Sequence, residues 1–245
     1  MKIYLGDCLD VMKDIPDKSI DFICVDPPYG TTKCPWDVII PFEALWEQYH
    51  RIIKQNGAIA IFGQEPFSSL LRCSNLSEYK FDWYWEKERL TNISQVKRRA
   101  GKTVETISMF YAKQPTYNPQ MQKYDGPLRS NKIKDGKLGT LVDEQNKRPH
   151  EYHDTGMRYP TQVLRFQRDC LTCNLQDTQK PVALLEFLIN TYTNPGEVVL
   201  DSCMGSGSTG VACLNTRRQF IGIEKHPEHF TIAQERLRAA GAVFE

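Results

Sequence analysis

The apolar run Phe22-Ile23-Cys24-Val25 ends on Asp26-Pro27-Pro28-Tyr29-Gly30, and this junction constrains the fold more than any other stretch of the chain. A short continuous apolar run reads as a buried strand. Two prolines stop it, because proline lacks the N–H a sheet ladder needs, and glycine then forms a turn. The junction also has a chemical meaning. With two donors removed, the Asp26 carboxylate stands beside carbonyl oxygens that no neighbouring N–H competes for. Such a cluster can accept both hydrogens of a flat exocyclic amine, and the Tyr29 ring can stack on the heterocycle carrying it. Taken alone, the tetrapeptide also fits a proline-rich turn with an Asp cap and a packed tyrosine.

The chain has 245 residues, 40% of them hydrophobic, which suits one large domain or one domain with an inserted lobe. No stretch approaches the roughly 20 apolar residues of a membrane span. The N-terminus begins directly with strand-like Met1-Lys2-Ile3-Tyr4-Leu5, so no signal peptide is expected. The eight cysteines are scattered, several inside apolar runs where a reduced thiol packs as a small hydrophobe, and a cytoplasmic location is expected. Cys170-Leu171-Thr172-Cys173 is a lone CxxC without the four ligands of a structural zinc, so no metal is expected. The net charge of +1 hides a division: residues 88–170 carry 16 Lys and Arg against 9 Asp and Glu, and the remainder is acidic. One lobe facing a polyanion would have this pattern, as would an ordinary solvated face.

Strand and helix signals alternate through the first 65 residues. Lys2–Leu5, Asp21–Val25 and Ala58–Phe62 read as strands. Leu9–Met12 starts a short helix, and Pro41–Gln55 is an amphipathic helix that Asn56-Gly57 is expected to cap. This rhythm predicts an α/β layer with a parallel sheet. Pro66–Leu76 reads as a helix and Phe81–Trp85 as a strand. From Glu88 to Leu175 the rhythm weakens into polar, basic, turn-rich sequence in which Thr106–Tyr111 is the one clear strand. It then resumes with a helix at Pro181–Thr191, strands at Glu197–Leu200 and Gln219–Glu224, and helices at Ser208–Leu214 and Pro227–Ala240.

A second chemical site comes after Val198-Val199-Leu200. Asp201 leads into a turn carrying Gly205, Gly207 and Gly210, and Glu224 ends the next strand. An acid in Glu224's place binds ribose hydroxyls in nucleotide-binding α/β sheets. Gly205-x-Gly207-x-x-Gly210 matches a dinucleotide fingerprint, but Asp201 would put negative charge where a pyrophosphate belongs. A carboxylate there suits a cationic head such as an amino acid's ammonium, and adenosine joined to methionine fits both ends. A helix-start turn without a ligand is the plain alternative.

Together these residues resemble the β-group amino-methyltransferases of DNA, which use S-adenosylmethionine. Asp26, Pro27, Pro28 and Tyr29 look like the family's catalytic motif. Asp201, Met204, Gly205 and Gly207 look like its cofactor loop, with Ser202 and Met204 where the family usually has Pro-Phe. Glu224 looks like its ribose-binding acid, and Gly6-Asp7, with Cys8 beside it, like the motif that contacts the cofactor's adenine. Thr178, Lys180 and Pro181, in Thr178-Gln179-Lys180-Pro181, look like the segment closing over the methionine end, although Gln176-Asp177 stands where the family has His-Pro. The tetrapeptide precedes the cofactor loop, the order that defines the β group.

The resemblance implies a doubly wound Rossmann-like α/β sheet. Its catalytic and cofactor-binding core would span residues 1–87 and 176–245, and an irregular basic target-recognition lobe 88–175. It implies transfer of a methyl group to N6 of an adenine flipped out of double-stranded DNA. Asp26 and the Pro27 carbonyl would grip the amine, and Tyr29 would stack on the base. Lys97, Arg98, Arg99 and Lys102 would meet phosphates. A homodimer and a cognate restriction nuclease are further implied partners. N4-cytosine methylation by the same machinery is the nearest alternative; a nicotinamide-dependent oxidoreductase and a catalytically silent DNA-binding subunit are more distant ones.

Overall fold

The computed structural model describes residues 1–93, 96–128, 155–168 and 179–244. Its first half holds β1 (Lys2–Leu5), α1 (Cys8–Val11), β2 (Ile20–Val25), α2 (Phe42–Ile52), β3 (Ile53–Gly63), α3 (Phe67–Ser74), β4 (Tyr79–Glu86) and β5 (Val104–Phe110). Two short strands come next, β6 (Gln122–Lys123) and β7 (Met157–Arg158). The rest is β8 (Val163–Arg165), α4 (Val182–Tyr192), β9 (Val198–Asp201), α5 (Ser208–Asn215), β10 (Gln219–Glu224) and α6 (Pro227–Ala239). The strands other than β6 and β7 form one sheet in the order β1-β10-β9-β2-β3-β5-β4-β8.

β1, β10, β9, β2 and β3 are parallel, and β5 runs antiparallel between β3 and β4. Side chains alternate across a strand, so β2 contributes to the core on both faces of the sheet. Phe22 and Cys24 join one core cluster, with Leu184, Leu188, Ala212 and Leu237 of α4, α5 and α6. Ile23 and Val25 join the other, with Leu45, Trp46, Tyr49, Ile52 and Leu71 of α2 and α3. A strand buried on both faces has to be apolar throughout, which is why Phe22–Val25 reads as an unbroken run. The expected doubly wound sheet is the fold.

Two expectations change. Asn56-Gly57 does not cap α2: the helix ends at Ile52, and both residues lie inside β3, where the register with β2 shifts between Ile20 and Phe22. A Cβ on Gly57 would lie 2.9 Å from the Asp21 carbonyl oxygen, so glycine serves the close passage of two strands there. The second change is the lobe boundary. The chain divides into Met1–Asn118 with Thr161–Glu245, and Pro119–Pro160. Residues 88–118 and 161–168, expected in the inserted lobe, belong to the core unit, because β5 is an interior strand of its sheet and β8 an edge. The basic residues Lys97, Arg98 and Arg99 sit in the loop joining β4 to β5, whose base is closed by Lys87 N to Thr103 O (2.7 Å) and Thr91 N to Lys102 O (2.9 Å). In the second unit β6 pairs with β7, and the Arg158 guanidinium lies over the Tyr124 ring. In the core unit the Met1 ammonium donates to the Val243 carbonyl (3.1 Å).

Ile23→Ala removes a fully buried side chain from the central strand and is expected to cost about 2–5 kcal/mol in urea unfolding. Leu70→Ala, on the half-exposed side of α3, should change stability by less than about 0.5 kcal/mol.

Candidate active site

Seven of the sheet's eight strands run the same way and end on one edge, and the antiparallel β5 begins there. That edge collects Asp7 after β1, Glu224 on β10, Asp201 on β9, Asp26 after β2, Gln64 after β3 and Glu105 at the start of β5. β9 and β2 are neighbours, with Phe22 opposite Val199 and Ile23 opposite Leu200. Asp201 and Asp26 therefore meet at the point where the strand order reverses, the usual ligand position of an open α/β sheet. All six residues line one cleft of about 640 Å³, a volume typical of small-molecule sites.

One half of the cleft is built on the tetrapeptide. Asp26 Oδ1 accepts from the Tyr29 hydroxyl and Oδ2 from Lys180 Nζ. Pro27 and Pro28 line the wall. The Tyr29 ring also lines it while packing on Phe67, with centroids 5.1 Å apart. The next turn hangs on Asp37, whose carboxylate accepts the backbone N–H groups of Tyr29, Gly30, Thr31 and Thr32 at 2.6–2.9 Å. Burial works to raise its pKa, but the hydrogen bonds from Thr32, Gly30 and Thr31 hold it below the usual carboxylate range. Glu105, largely but not fully buried on the cleft wall, stands between Lys87 and Lys180. Burial again works to raise its pKa, and the two ammonium groups keep it low.

The other half is built on the glycine turn. Asp201 Oδ1 accepts from Cys203 N (3.1 Å) and Oδ2 from Thr209 Oγ1 (2.6 Å), and burial pushes its pKa up to about 7. Glu224 accepts from Gly205 N (2.9 Å) and His226 N (2.8 Å). Asp7 caps α1 through Leu9 N and pairs with Lys225 at 2.9 Å, which lowers its pKa. Cys8 and Met204 complete this wall, and the Met204 sulfur lies where a Cβ on residue 222 would be, so Gly222 makes room for it. Two buried acids with lone pairs to spare, beside a thioether and a thiol, suit a ligand with a cationic head and a ribose diol. This donor set fits S-adenosylmethionine.

The structure reassigns several expected site residues. Lys180 lines the cleft, as expected of a site residue, and its ammonium is bonded to Asp26. Gly207 and Pro181 do not line the cleft. Gly207 takes φ 77° ahead of α5, and a Cβ there would come 3.2 Å from the Ala233 Cβ, so it serves helix packing. Pro181 starts α4. Thr178 and the Cys170–Cys173 pair lie outside the described residues. Lys97, Arg98 and Arg99 are exposed, but Lys102 is half-buried and donates to Gln64, a residue of the cleft wall, so its ammonium is already engaged by the core unit. Sequence reading missed Asp37, Gln64, Glu105 and Gln179. The Gln179 side chain lines the cleft, buried, with neither amide atom hydrogen-bonded.

The DNA methylase family model (N6_N4_Mtase) matches residues 20–235. The DNA adenine methyltransferase YhdJ of Escherichia coli (strain K12) is 30% identical over 253 residues, covering 97% of this chain and 83% of YhdJ. The crystal structure of the M1.HpyAVI–SAM complex is 26% identical with a TM-score of 0.65, covering 96% of this chain and 98% of that one. The cytosine-N4-specific PvuII DNA methyltransferase has a TM-score of 0.67 at 16% identity, covering 99% and 94%, and shares the fold. The family match takes in the tetrapeptide, the glycine turn and the sheet between them: the chain belongs to the N6/N4 DNA methylase family.

Proposed function

We propose that the chain methylates N6 of an adenine turned out of duplex DNA, with S-adenosylmethionine as donor. The observation that carries this reading is the meeting of Asp26 and Asp201 across one cleft, which sets an amine acceptor opposite a cation-binding acid. Bound there, S-adenosylmethionine supplies an electrophilic methyl group on a sulfonium. Asp201 and Glu224 hold its ammonium and ribose, with Asp7, Cys8 and Met204 around its adenosine. On the other side, the Asp26 carboxylate and the Pro27 carbonyl accept the two amine hydrogens. That draws the nitrogen lone pair out of the ring, and the carboxylate stabilises the positive charge developing on nitrogen. Asp26 is also the nearest base for the proton the nitrogen must shed. Tyr29 stacks on the base through whatever of its ring Phe67 leaves uncovered. The rigid Asp37-bound turn keeps this half preorganised.

Adenine is favoured over cytosine by the Asp at position 26 and by the adenine specificity in the YhdJ name. Lys97, Arg98 and Arg99 are the phosphate contacts, and the second unit belongs to target recognition. A homodimer, a cognate restriction nuclease and a cytoplasmic location go with the same reading. Among the described residues no helix is long and apolar enough to cross a membrane.

Asp26→Ala should lower methyl transfer at least about a hundredfold while leaving cofactor binding intact; a tritiated-methyl assay with retained turnover refutes the assignment. Single-molecule sequencing of DNA from a methylation-deficient host expressing the protein should report N6-methyladenine, and N4-methylcytosine would replace the adenine reading. Neutralising Lys97, Arg98 and Arg99 together should weaken DNA binding and lower the slope of log K against log salt by about one per lost phosphate contact. Asp201 must be ionised to hold an ammonium. Affinity for S-adenosylhomocysteine measured by calorimetry should therefore rise with pH through about 7 and level off roughly a unit above it, and Asp201→Asn should flatten that rise.

A further inference from the structure

Both oxygens of the Asp26 carboxylate are engaged, Oδ1 by the Tyr29 hydroxyl and Oδ2 by Lys180. Each oxygen keeps a lone pair for an incoming amine, which then shares the carboxylate with a buried ammonium. Charge-assisted hydrogen bonds are the stronger kind, so Asp26 is a weakened acceptor until that ammonium is drawn to another anion. Glu105 is that anion. Its Oε1 accepts from Lys87 Nζ, while Oε2 is buried with no hydrogen bond and stands 3.7 Å from Lys180 Nζ. Oε2 thus already attracts the Lys180 ammonium as an ion pair, one short move from a hydrogen bond.

We propose that Glu105 is a positioning residue for methyl transfer: it receives the Lys180 ammonium when the target amine takes its place at Asp26. The inference rests on the reading that Asp26 holds that amine. The exchange needs no change of net charge in the cluster. Burial opposes the charge on Lys180, but Asp26 and Glu105 together raise its pKa, so it is an ammonium in either position. The ammonium stays paired throughout, while Asp26 exchanges its ion pair for the amine's hydrogen bonds and then for the positive charge that develops on nitrogen. With the ammonium moved away, Asp26 becomes the stronger acceptor at the moment the amine needs it. Without Glu105, Lys180 stays clamped on Asp26.

The test is steady-state methyl transfer to target duplex by Glu105→Gln. kcat should fall about tenfold or more, with the dissociation constant for S-adenosylhomocysteine unchanged. Glu105→Asp should recover part of the loss. In a Lys180→Met background, itself slowed, adding Glu105→Gln should cost less than about twofold, because no ammonium remains to be moved. A Glu105→Gln enzyme with full kcat overturns the proposal, and so does an equal loss in both backgrounds. A second readout needs no turnover: the Lys180 ¹⁵N-ammonium resonance should shift when wild type binds target duplex. If Glu105→Gln does not fold, an unshifted resonance in wild type overturns the proposal by itself. Wild type that moves no methyl group to DNA refutes the proposed function instead, so the two failures are distinguishable.

Discussion

A ladder of two residue pairs holds the site together. Phe22 lies opposite Val199 and Ile23 opposite Leu200, which joins the early part of the chain to the late part in the middle of the sheet. Asp21 locks the base of the ladder, accepting from Val198 N (2.9 Å), 177 residues away, and from Lys54 Nζ (2.7 Å) on β3. Closing so long a loop costs only logarithmically more than closing a short one. The pairs themselves are buried under helices on both faces, where apolar area offsets that entropy. A slip of one residue would turn Phe22 and Ile23 to each other's faces and carry Asp26 away from Asp201.

The two halves of the cleft use their acids differently. On the glycine-turn side Asp201 and Glu224 accept backbone and hydroxyl hydrogens, and so shape the loop they belong to. Among the described residues no lysine neutralises them, which leaves burial to raise Asp201 and favours a cationic guest. On the tetrapeptide side Asp26 and Glu105 are matched by Lys180 and Lys87. A balanced cluster has no net pull on a charged ligand and suits a neutral heterocycle. The proposed placement, a cationic donor on one wall and a neutral base on the other, agrees with this division of ion pairs.

Much of this was legible in the sequence because it is local. Strand-ending acids, a double proline and a glycine turn announce themselves within a few residues, and Asp26, Asp201 and Glu224 all lie in such stretches. Residues that depend on topology were not legible. Glu105 opens a strand where the site's other acids end or come after theirs, and it reaches the cleft because β5 runs antiparallel to β3. Asp37 reads as one more loop acid until its carboxylate is seen gathering four N–H groups. Lys180 sits in a recognisable segment, but its partner is 154 residues away, and spacing along the chain carries no sign of that bond. The lobe boundary went astray for a similar reason: a basic hairpin loop and an inserted unit have the same composition, and strand pairing alone separates them.

The bond between the Met1 ammonium and the Val243 carbonyl closes the core unit almost into a ring. Nearly adjacent termini are what circular permutation requires. If those ends were joined and the chain reopened between β5 and β8, every strand would keep its neighbours and the cleft its walls. The cofactor loop would then come before the tetrapeptide. The order of the two motifs, so informative in a linear sequence, is thus a property of where the ring is cut, and the chemistry belongs to the ring.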